Sequence, residues 1–275
     1  MKLYNILVDG KIHLAVETEK GLADVTAAGF PYSMDEVIGG KLDALRSFDF
    51  SALPAVEGCT PANVVNTPGK ILCVGLNYKA HADGLNMKLP EYPVLFSKFS
   101  NALAPAGSHI LLPEWEISYD YEAELVIVMG KTAWNVTEDE ALGCIFGYSC
   151  GNDISLRDAQ SRSGQWLIGK TMPGFGPCGP CIVTADEYDP LKGMGIKSYV
   201  NGQLRQNGMT TQMIFNCARV ISYASKYIRL EPGDLIFTGT PTGVALEAKE
   251  KVWLKKGDRV DIVLEGIGTL TNTMI

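Results

Sequence analysis

Two glutamates stand one residue apart at the start of a stretch with the alternating pattern of a β-strand. Within Glu122–Met129, the two-residue period of a strand turns Glu122 and Glu124 to one face and the apolar side chains between them to the other. Two carboxylates about 7 Å apart at the beginning of an apolar strand repel each other unless water screens them or a cation lies between them. The pair therefore predicts either a solvated strand edge or a site for a hard divalent cation.

A dense polar segment follows a second strand-like stretch. The strand-like residues Cys144–Tyr148 come shortly before Gly151–Gln160, whose polar members are Asn152, Asp153, Ser155, Arg157, Asp158 and Gln160. Catalytic and ligand-binding side chains are common where a rigid element gives way to a loop. This segment is therefore the second candidate source of site residues.

Short strands must position these side chains, because strand signals dominate the chain. Strands are predicted at residues 3–8 and 12–16 and at Ile71–Val74, Glu122–Met129, Ile182–Thr184, Ile196–Val200, Leu235–Thr238 and Arg259–Leu264. Two helices are also predicted. One begins at a capping box in Thr137–Glu140, and the other covers about Thr211–Tyr227, where apolar residues recur at helical spacing.

The first part of the chain predicts a smaller unit. Two short strands flank Asp9-Gly10, and an apolar stretch of helix length lies near Met34–Leu45. Between Thr60 and Gly69, prolines, asparagines and a glycine interrupt both periodicities, as they do in a linker. We predict a small α+β domain over residues 1–66 and a larger, mainly β domain over residues 67–275.

Composition argues against some classes of binding partner for the protein. The 275 residues carry a net charge of −7 with no stripe of Lys and Arg, which argues against nucleic-acid binding. No apolar run reaches membrane-spanning length, and no signal peptide is recognisable. Seven scattered cysteines fit reduced thiols better than a disulfide framework. We expect a cytoplasmic protein with a small-molecule partner and no membrane association.

Three short motifs match known functional patterns but lack the context that their chemistry requires. Gly164–Thr171 matches a phosphate-binding loop, yet Met172–Pro177 carries glycine and proline where that loop needs a helix. Cys178–Cys181 matches a redox dithiol, yet a strand-like stretch follows it instead of an acidifying helix. Gly147–Gly151 matches a nucleophile elbow, yet all three histidines precede its serine. Nucleotide binding through Gly164–Thr171 is kept as an alternative from a different functional class.

Several segments taken together resemble the fumarylacetoacetate hydrolase family. The segment Asn152–Gln160, with Tyr121–Val128 before it and Gly169-Lys170 after it, resembles the core signature of that family. Gly75–His81 resembles its G-x-N-Y-x-x-H segment, and Pro93–Lys98 resembles the strand that follows. Further matches are Thr171, Phe175, Gly179-Pro180, Arg205-Gln206, Met213–Phe215 and Gly233–Val244. The combination is far more specific than any one motif.

The resemblance implies a fold and a metal site. The fold would be mainly β, of the α+β class, with a mixed β-sandwich or roll as the catalytic domain behind the small N-terminal domain. Glu122, Glu124 and Asp153 would be the metal ligands, leaving the other positions to water and substrate. All-oxygen ligation of this kind suits Mg²⁺, and Mn²⁺ or Ca²⁺ would also be accepted.

The resemblance also implies roles for other side chains. Lys170 corresponds to an active-site lysine whose charge would hold an oxyanion or enolate, although alone it would be interpreted as a solvated surface lysine. Tyr78, Arg157, Gln160 and Thr240 correspond to groups that contact the substrate. For Thr240 the alternative is a turn hydroxyl bonded to its own backbone.

His81 corresponds to the residue that activates water, and imidazole titrates near neutral pH, as a general base should. One common form of the family has a glutamate three residues after this histidine, but that position holds Gly84. Asp83 lies two residues from His81, so on a helix it faces elsewhere. The carboxylate partner of His81 therefore stays open.

A reaction follows from these implied roles. A 1,3-dioxo acid such as an acylpyruvate or fumarylpyruvate would chelate the cation, and water would attack its distal carbonyl and break a C–C bond, with a metal-chelated enolate as leaving group. Decarboxylation, isomerisation or tautomerisation of a 2-oxo acid, of the oxaloacetate or 2-hydroxyhepta-2,4-diene-1,7-dioate type, is the alternative at the same site. From the resemblance we also expect a homodimer.

Overall fold

Strands form most of the regular structure of this computed structural model, which describes residues 1–189 and 192–275. The strands are β1 Lys2–Val8, β2 Lys11–Thr18, β3 Gly21–Asp24, β4 Thr60–Pro61, β5 Ile71–Gly75, β6 Val94–Lys98, β7 Leu103–Ala104, β8 His109–Ile110, β9 Tyr119–Asp120, β10 Ala123–Met129, β11 Ile145–Asn152, β12 Ser155–Leu156, β13 Gly176–Thr184, β14 Gly195–Val200, β15 Gln203–Met209, β16 Leu235–Phe237, β17 Arg259–Leu264 and β18 Gly268–Met274. The α-helices are α1 Met34–Glu36, α2 Leu42–Arg46, α3 Lys79–Gly84, α4 Glu138–Ala141, α5 Arg157–Ser161, α6 Leu167–Lys170 and α7 Cys217–Ser225. Within these described ranges, no helix has the length and apolar character needed to cross a membrane.

Two sheets pack face to face. The larger, mixed sheet has the order β3-β2-β1-β13-β11-β10-β16-β5-β6, with β4 beside β1 and β7 beside β13. The smaller sheet has the order β15-β14-β17-β18-β8. Strands β17 and β18 lie against β11 and β13, so the two sheets share one apolar core. The predicted mainly β, α+β fold with a mixed sandwich is confirmed.

The N-terminal part of the chain covers the other face of the larger sheet. Its apolar side chains share a second core with Val126 and Phe237 of the central strands. Strand β1 pairs with β13, with Lys2 opposite Val183, so the first strands extend the same sheet. The boundary near residue 66 therefore does not interrupt the sheet, and the independence of residues 1–66 as a domain stays a prediction.

The capping box forms as the sequence predicts. The N–H of Thr137 donates to Glu140 Oε2 at 2.8 Å, and the N–H of Glu140 donates to Thr137 Oγ1 at 3.4 Å. Helix α4 has only four residues before the chain tightens into a 3₁₀ turn.

The helix predicted over Thr211–Tyr227 is wrong at its beginning. Helix α7 starts at Cys217, because the side chain of Asn216 accepts the N–H of Arg219 and caps it there. Met213 instead forms an isolated bridge with Tyr78, and the N–H of Ile214 donates to the carbonyl of Asn77 at 2.7 Å. Tertiary pairing thus overrides the helical spacing of this segment.

Candidate metal centre and active site

Three carboxylates meet where β10 and β11 lie side by side. In this antiparallel pair Ala123 is opposite Asn152, so the residues just outside the pairing are neighbours. The N–H of Asp153 donates to the carbonyl of Glu122 at 3.0 Å. Carboxylate oxygens of Glu122, Glu124 and Asp153 lie within 4.8 Å of one another, and all three side chains are buried. The solvated strand edge, which the sequence left open, is therefore excluded.

Two buried lysines lie beside this cluster. The Nζ of Lys170 is 2.8 Å from Glu122 Oε2 and 2.8 Å from Asp153 Oδ2. The Nζ of Lys98 is 2.5 Å from Asp153 Oδ1 and donates to the carbonyls of Lys170 and Phe175. The contact with Asp153 is an ion pair without hydrogen-bond geometry, so Asp153 Oδ1 is a buried acceptor with no directed donor. An oxygen of this kind can serve as a ligand for a metal cation.

Arg157 holds Glu122 from another side. Its guanidinium donates to Glu122 Oε1 at 2.6 Å, to Asp120 Oδ2 at 2.9 Å and to Gln160 Oε1 at 3.0 Å. The carboxylate of Asp120 also accepts the backbone N–H groups of Ala245 and Leu246, at 2.8 and 3.0 Å. Asp120 therefore connects Arg157 to the loop that follows the Gly-Thr-Pro-Thr-Gly segment.

The pKa values of Glu122 and Glu124 are shifted in opposite directions. Burial opposes ionisation of Glu122, but Lys170 and Arg157 outweigh it and lower the pKa of this carboxyl. Burial, followed by the charges of Asp153 and Glu122, raises the pKa of Glu124 well above its usual range, although Gly239 donates its N–H to Glu124 at 2.7 Å. The charges of Asp153 and Glu122 thus make the ionised form of Glu124 unfavourable unless a further cation compensates them. Three converging carboxylate oxygens are hard donors of the kind that a divalent cation such as Mg²⁺ prefers.

The carboxylate partner that the sequence left open for His81 is Glu247. The Nδ1 atom of His81, on helix α3, contacts Glu247 Oε1, and both side chains are largely buried. Gly84 leaves room for this partner, because a Cβ atom at position 84 would lie 3.1 Å from Glu247 Cδ. Thr242 Oγ1 and the N–H of Gly243 also donate to Glu247. A carboxylate bound to one ring nitrogen orients the imidazole, so that the other ring nitrogen can accept a proton, as a general base requires.

Sequence reasoning missed Glu247, Asp120 and the role of Lys98. No local signal could have identified Glu247, because it is 166 positions from His81 in the chain. Asp120 was detectable as the acidic residue directly before Tyr121-Glu122. The sequence identified Lys98 only as the end of a strand that resembles the family. Its burial beside Asp153 depends on tertiary packing and could not be predicted.

The predicted substrate-binding residues do not all lie in one place. Arg157, Gln160 and Thr240 line the same cavity as Glu122 and Glu124, whereas Tyr78 is buried and lines a separate depression. The hydroxyl of Thr240 donates to the carbonyl of Ala123 at 2.9 Å and accepts from Gln206 Nε2 at 2.7 Å. Because its proton is already committed, this hydroxyl could only accept a hydrogen bond from a substrate. The substrate contacts of these four residues stay predictions.

The cavity itself has a volume of about 330 Å³. Its charged end contains Glu122, Glu124, Lys170 and His81. Its apolar wall is formed by Val74, Leu76, Leu85, Met87, Phe96, Trp166, Leu246 and Trp253. The volume is of the size that accommodates a small organic ligand.

The phosphate-loop, dithiol and nucleophile-elbow matches do not have the structural context that their chemistry requires. Lys170 ends helix α6, and its ammonium group is bound by carboxylates, not directed at a phosphate site. Cys178 and Cys181 lie in β13, where burial raises the pKa of their thiols to about 12 and about 11, the opposite of redox activation. Ser149 lies inside β11 and donates to the carbonyl of Cys181 at 2.8 Å.

Comparison with known families and proteins agrees with this geometry. The sequence model described as fumarylacetoacetate (FAA) hydrolase C-terminal matches residues 70–275. The chain is 46% identical over 218 residues to a fumarylacetoacetate hydrolase domain-containing protein 2 homolog of Dictyostelium discoideum, covering 75% of this chain and 72% of that protein. It is 37% identical over 274 residues to the mitochondrial oxaloacetate tautomerase FAHD2A of Homo sapiens, covering 96% of this chain and 87% of that protein.

A solved structure shows the same fold. The fumarylacetoacetate hydrolase from the psychrophile Exiguobacterium antarcticum superimposes with a TM-score of 0.86 at 33% sequence identity, covering 100% of this chain and 99% of the other. The similarity therefore includes residues 1–66 as well as the part that the family model matches.

Proposed function

The chain belongs to the fumarylacetoacetate hydrolase family, and from this premise we propose that it is a metal-dependent hydrolase that cleaves a C–C bond of a small 1,3-dioxo acid. The observation that carries the proposal is that His81, which is paired with Glu247, lines the same cavity as Glu122 and Glu124. A base and a cation site on one cavity are the two components that hydrolysis of a dicarbonyl needs.

Glu122, Glu124 and Asp153 would hold the cation, for which we propose Mg²⁺. When bound, a divalent cation polarises carbonyl oxygens as a Lewis acid. Lys98 and Arg157 hold the side chains of Asp153 and Glu122 in place, as the supporting partners of metal ligands do.

His81 would take a proton from water, with Glu247 stabilising the resulting imidazolium. The water oxygen bonds to the distal carbonyl carbon, and the bond from that carbon to the central methylene carbon then breaks. The electrons of this bond pass to the pyruvate-type enolate, whose charge the ammonium of Lys170 stabilises. Return of a proton to the methylene carbon gives the 2-oxo acid, and the distal fragment leaves as a carboxylate.

The purified protein should release pyruvate from an acylpyruvate in the presence of Mg²⁺, and lactate dehydrogenase coupling would follow the product. Chelation with EDTA should abolish turnover, and added Mg²⁺ should restore it. His81→Ala should reduce kcat by about 10²–10⁴-fold, the usual contribution of a general base. No metal-dependent turnover of acylpyruvates, oxaloacetate or oxo-dienoates would exclude the enzyme proposal.

A second candidate is tautomerisation of a 2-oxo acid, favoured by the named activity of the human relative. His81 could move a proton between carbon and oxygen without a water nucleophile. Loss of the enol absorbance of oxaloacetate without release of pyruvate or CO₂ would favour this reaction. Faster turnover of acylpyruvates, with incorporation of one ¹⁸O atom from water into the distal carboxylate, would favour hydrolysis.

A further inference from the structure

The cavity is divided into a charged end and an apolar wall. Glu122, Glu124, Lys170 and His81 form the charged end, where the 2-oxo-acid part of the proposed substrate would lie. The rest of the lining contains eight apolar side chains, including Trp166, Leu246 and Trp253, and six polar or charged ones: Arg157, Asp158, Gln160, Ser161, Thr240 and Lys251. A cavity of about 330 Å³ leaves space beyond a three-carbon oxo-acid head.

Trp166 is held firmly in this wall. Gly75 allows its indole to lie against the backbone, because a Cβ atom at position 75 would be 2.3 Å from Trp166 Cζ3. The indole also packs edge-to-face on Phe96, with ring centroids 5.3 Å apart. Lys170 Nζ lies 5.2 Å from the centroid of the Phe96 ring. The apolar wall therefore begins directly beside the charged end.

The cations in the described lining offer little to a second carboxylate. The guanidinium of Arg157 is bonded to Asp120, Glu122 and Gln160, and Lys170 is paired with two carboxylates. Lys251 is exposed at the rim and donates to the carbonyl of Leu246 at 2.9 Å. An ion pair in such an exposed position is weak and is screened by salt.

From this division we propose that the distal end of the substrate is an uncharged apolar group, which packs against Trp166, Leu246 and Trp253. The proposal rests on the proposed function, because it requires that the oxo-acid head bind the metal and that the distal end extend towards this wall. The proposal predicts that the cavity prefers an acylpyruvate with an alkyl or aryl end to dicarboxylates such as oxaloacetate. Apolar contact adds affinity with each buried methylene, whereas a buried carboxylate without a partner loses its hydration.

Three unreactive oxamates test the proposal with the full-length protein and Mg²⁺. Oxamate carries the oxo-acid-like head alone, N-butyloxamate adds an apolar tail, and N-(3-carboxypropyl)oxamate adds a charged tail on the same methylene chain. By isothermal titration calorimetry, N-butyloxamate should bind at least tenfold more tightly than oxamate, since a single methylene in an apolar pocket can contribute that much. The carboxypropyl compound should bind no more than threefold more tightly than oxamate.

The outcomes separate the two proposals. Failure of oxamate to bind with Mg²⁺ would overturn both the proposed function and this inference. If oxamate binds but the butyl gain is below tenfold, or the charged tail gains more than threefold, this inference alone is overturned.

Variants of the apolar wall test whether it causes the tighter binding of N-butyloxamate. Trp166→Ala should reduce the ratio of the oxamate Kd to the N-butyloxamate Kd by at least fivefold. Trp134→Ala, which removes an exposed indole outside the cavity, should leave that ratio unchanged. If Trp166→Ala does not fold by circular dichroism, Trp253→Ala decides the question in the same way. An unchanged ratio in a folded variant of the wall would contradict the proposal.

Discussion

In the proposed mechanism, His81 acts as the base and its contact with Glu247 orients it. Burial of Glu247 opposes its ionisation, but hydrogen bonds from His81, Thr242 and the N–H of Gly243 outweigh burial and lower its pKa. The lowered pKa means that the ionised form is stabilised by folding. Its contribution to the free energy of unfolding is therefore present above the ordinary pKa of 4.5 and is lost as the pH falls through the lowered folded value.

Glu247→Gln should reveal this contribution. At pH 7 we expect the variant to be less stable than the parent by about 1–3 kcal/mol, the cost of losing charge-assisted hydrogen bonds. The difference should shrink as urea unfolding is repeated at pH values falling from 4.5 through the lowered folded pKa, because the carboxylate becomes protonated first in the unfolded and then in the folded parent. A difference that stays constant or grows on acidification would contradict the argument.

Asp120 acts through two groups that face the cavity. Its carboxylate binds Arg157 and the N–H groups at Ala245 and Leu246, so it positions both the support of Glu122 and the loop that carries Glu247. Asp120→Asn would place an amide donor against these donors. We expect kcat/KM to fall by about 10–100-fold, as for other residues that orient metal ligands.

Asp258→Asn is the matched control for Asp120→Asn. Asp258 is also a buried aspartate that accepts a backbone N–H, from Lys255, but it lies outside the cavity. This control should lower the melting temperature without changing kcat/KM. Equal losses of kcat/KM in both variants would mean that Asp120 has a structural role only.

Strand ends and the turns after them determine where the proposed metal ligands lie. The Gly-Thr-Pro-Thr-Gly segment after β16 passes so close to β5 that a Cβ atom on Gly239 would be 2.8 Å from Asn77 Cβ and 2.9 Å from the carbonyl of Val74. Asn77 fixes this approach by donating to the carbonyl of Thr238 at 2.7 Å. The N–H of Gly239 is thereby directed at Glu124.

Gly239→Ala tests this close approach, with Gly257→Ala as control. Both glycines have positive φ, 96° and 91°, but the control position has no atom within 4 Å of an added Cβ. We expect Gly239→Ala to cost ~1–3 kcal/mol more than the control in urea unfolding, the usual penalty of overpacking. Mg²⁺ affinity should also fall, by about tenfold or more, in the site variant alone. Equal costs in the two variants would show that the contact can relax.

The two cores link the N-terminal part of the chain to the rest. Apolar side chains from residues 1–66 cover the face of the sheet that carries Val126 and Val128, and β1 pairs directly with β13. Exposure of that face would cost a large share of the buried apolar area. The chain should therefore unfold in a single cooperative transition.

Removal of residues 1–66 should prevent residues 67–275 from unfolding cooperatively, as followed by circular dichroism in urea. Addition of the separate 1–66 fragment should restore part of the transition if the contact surface is the cause. A cooperative transition of the truncated chain at the midpoint of the full chain would instead support two independent domains.

The homodimer is a prediction from the family resemblance. Light scattering at micromolar concentration should give twice the mass of the 29.8 kDa chain. A single species at the monomer mass would contradict it.

Local sequence determined much of this protein. The two-residue period predicted that Glu122 and Glu124 point the same way, and their carboxylates do converge. The capping box located α4, and the combined motifs indicated the family. These features depend on residues near one another in the chain, whose conformations follow from sterics and local hydrogen bonds.

Only the tertiary structure decided how the site is completed. Glu247 reaches His81 across 166 positions, Lys98 reaches the carbonyl of Lys170 across 72, and the pairing of Met213 with Tyr78 shortened a predicted helix. Each of these contacts depends on which distant strands and loops pack together. Such packing is set by burial summed over the whole chain, so no short window of sequence contains it.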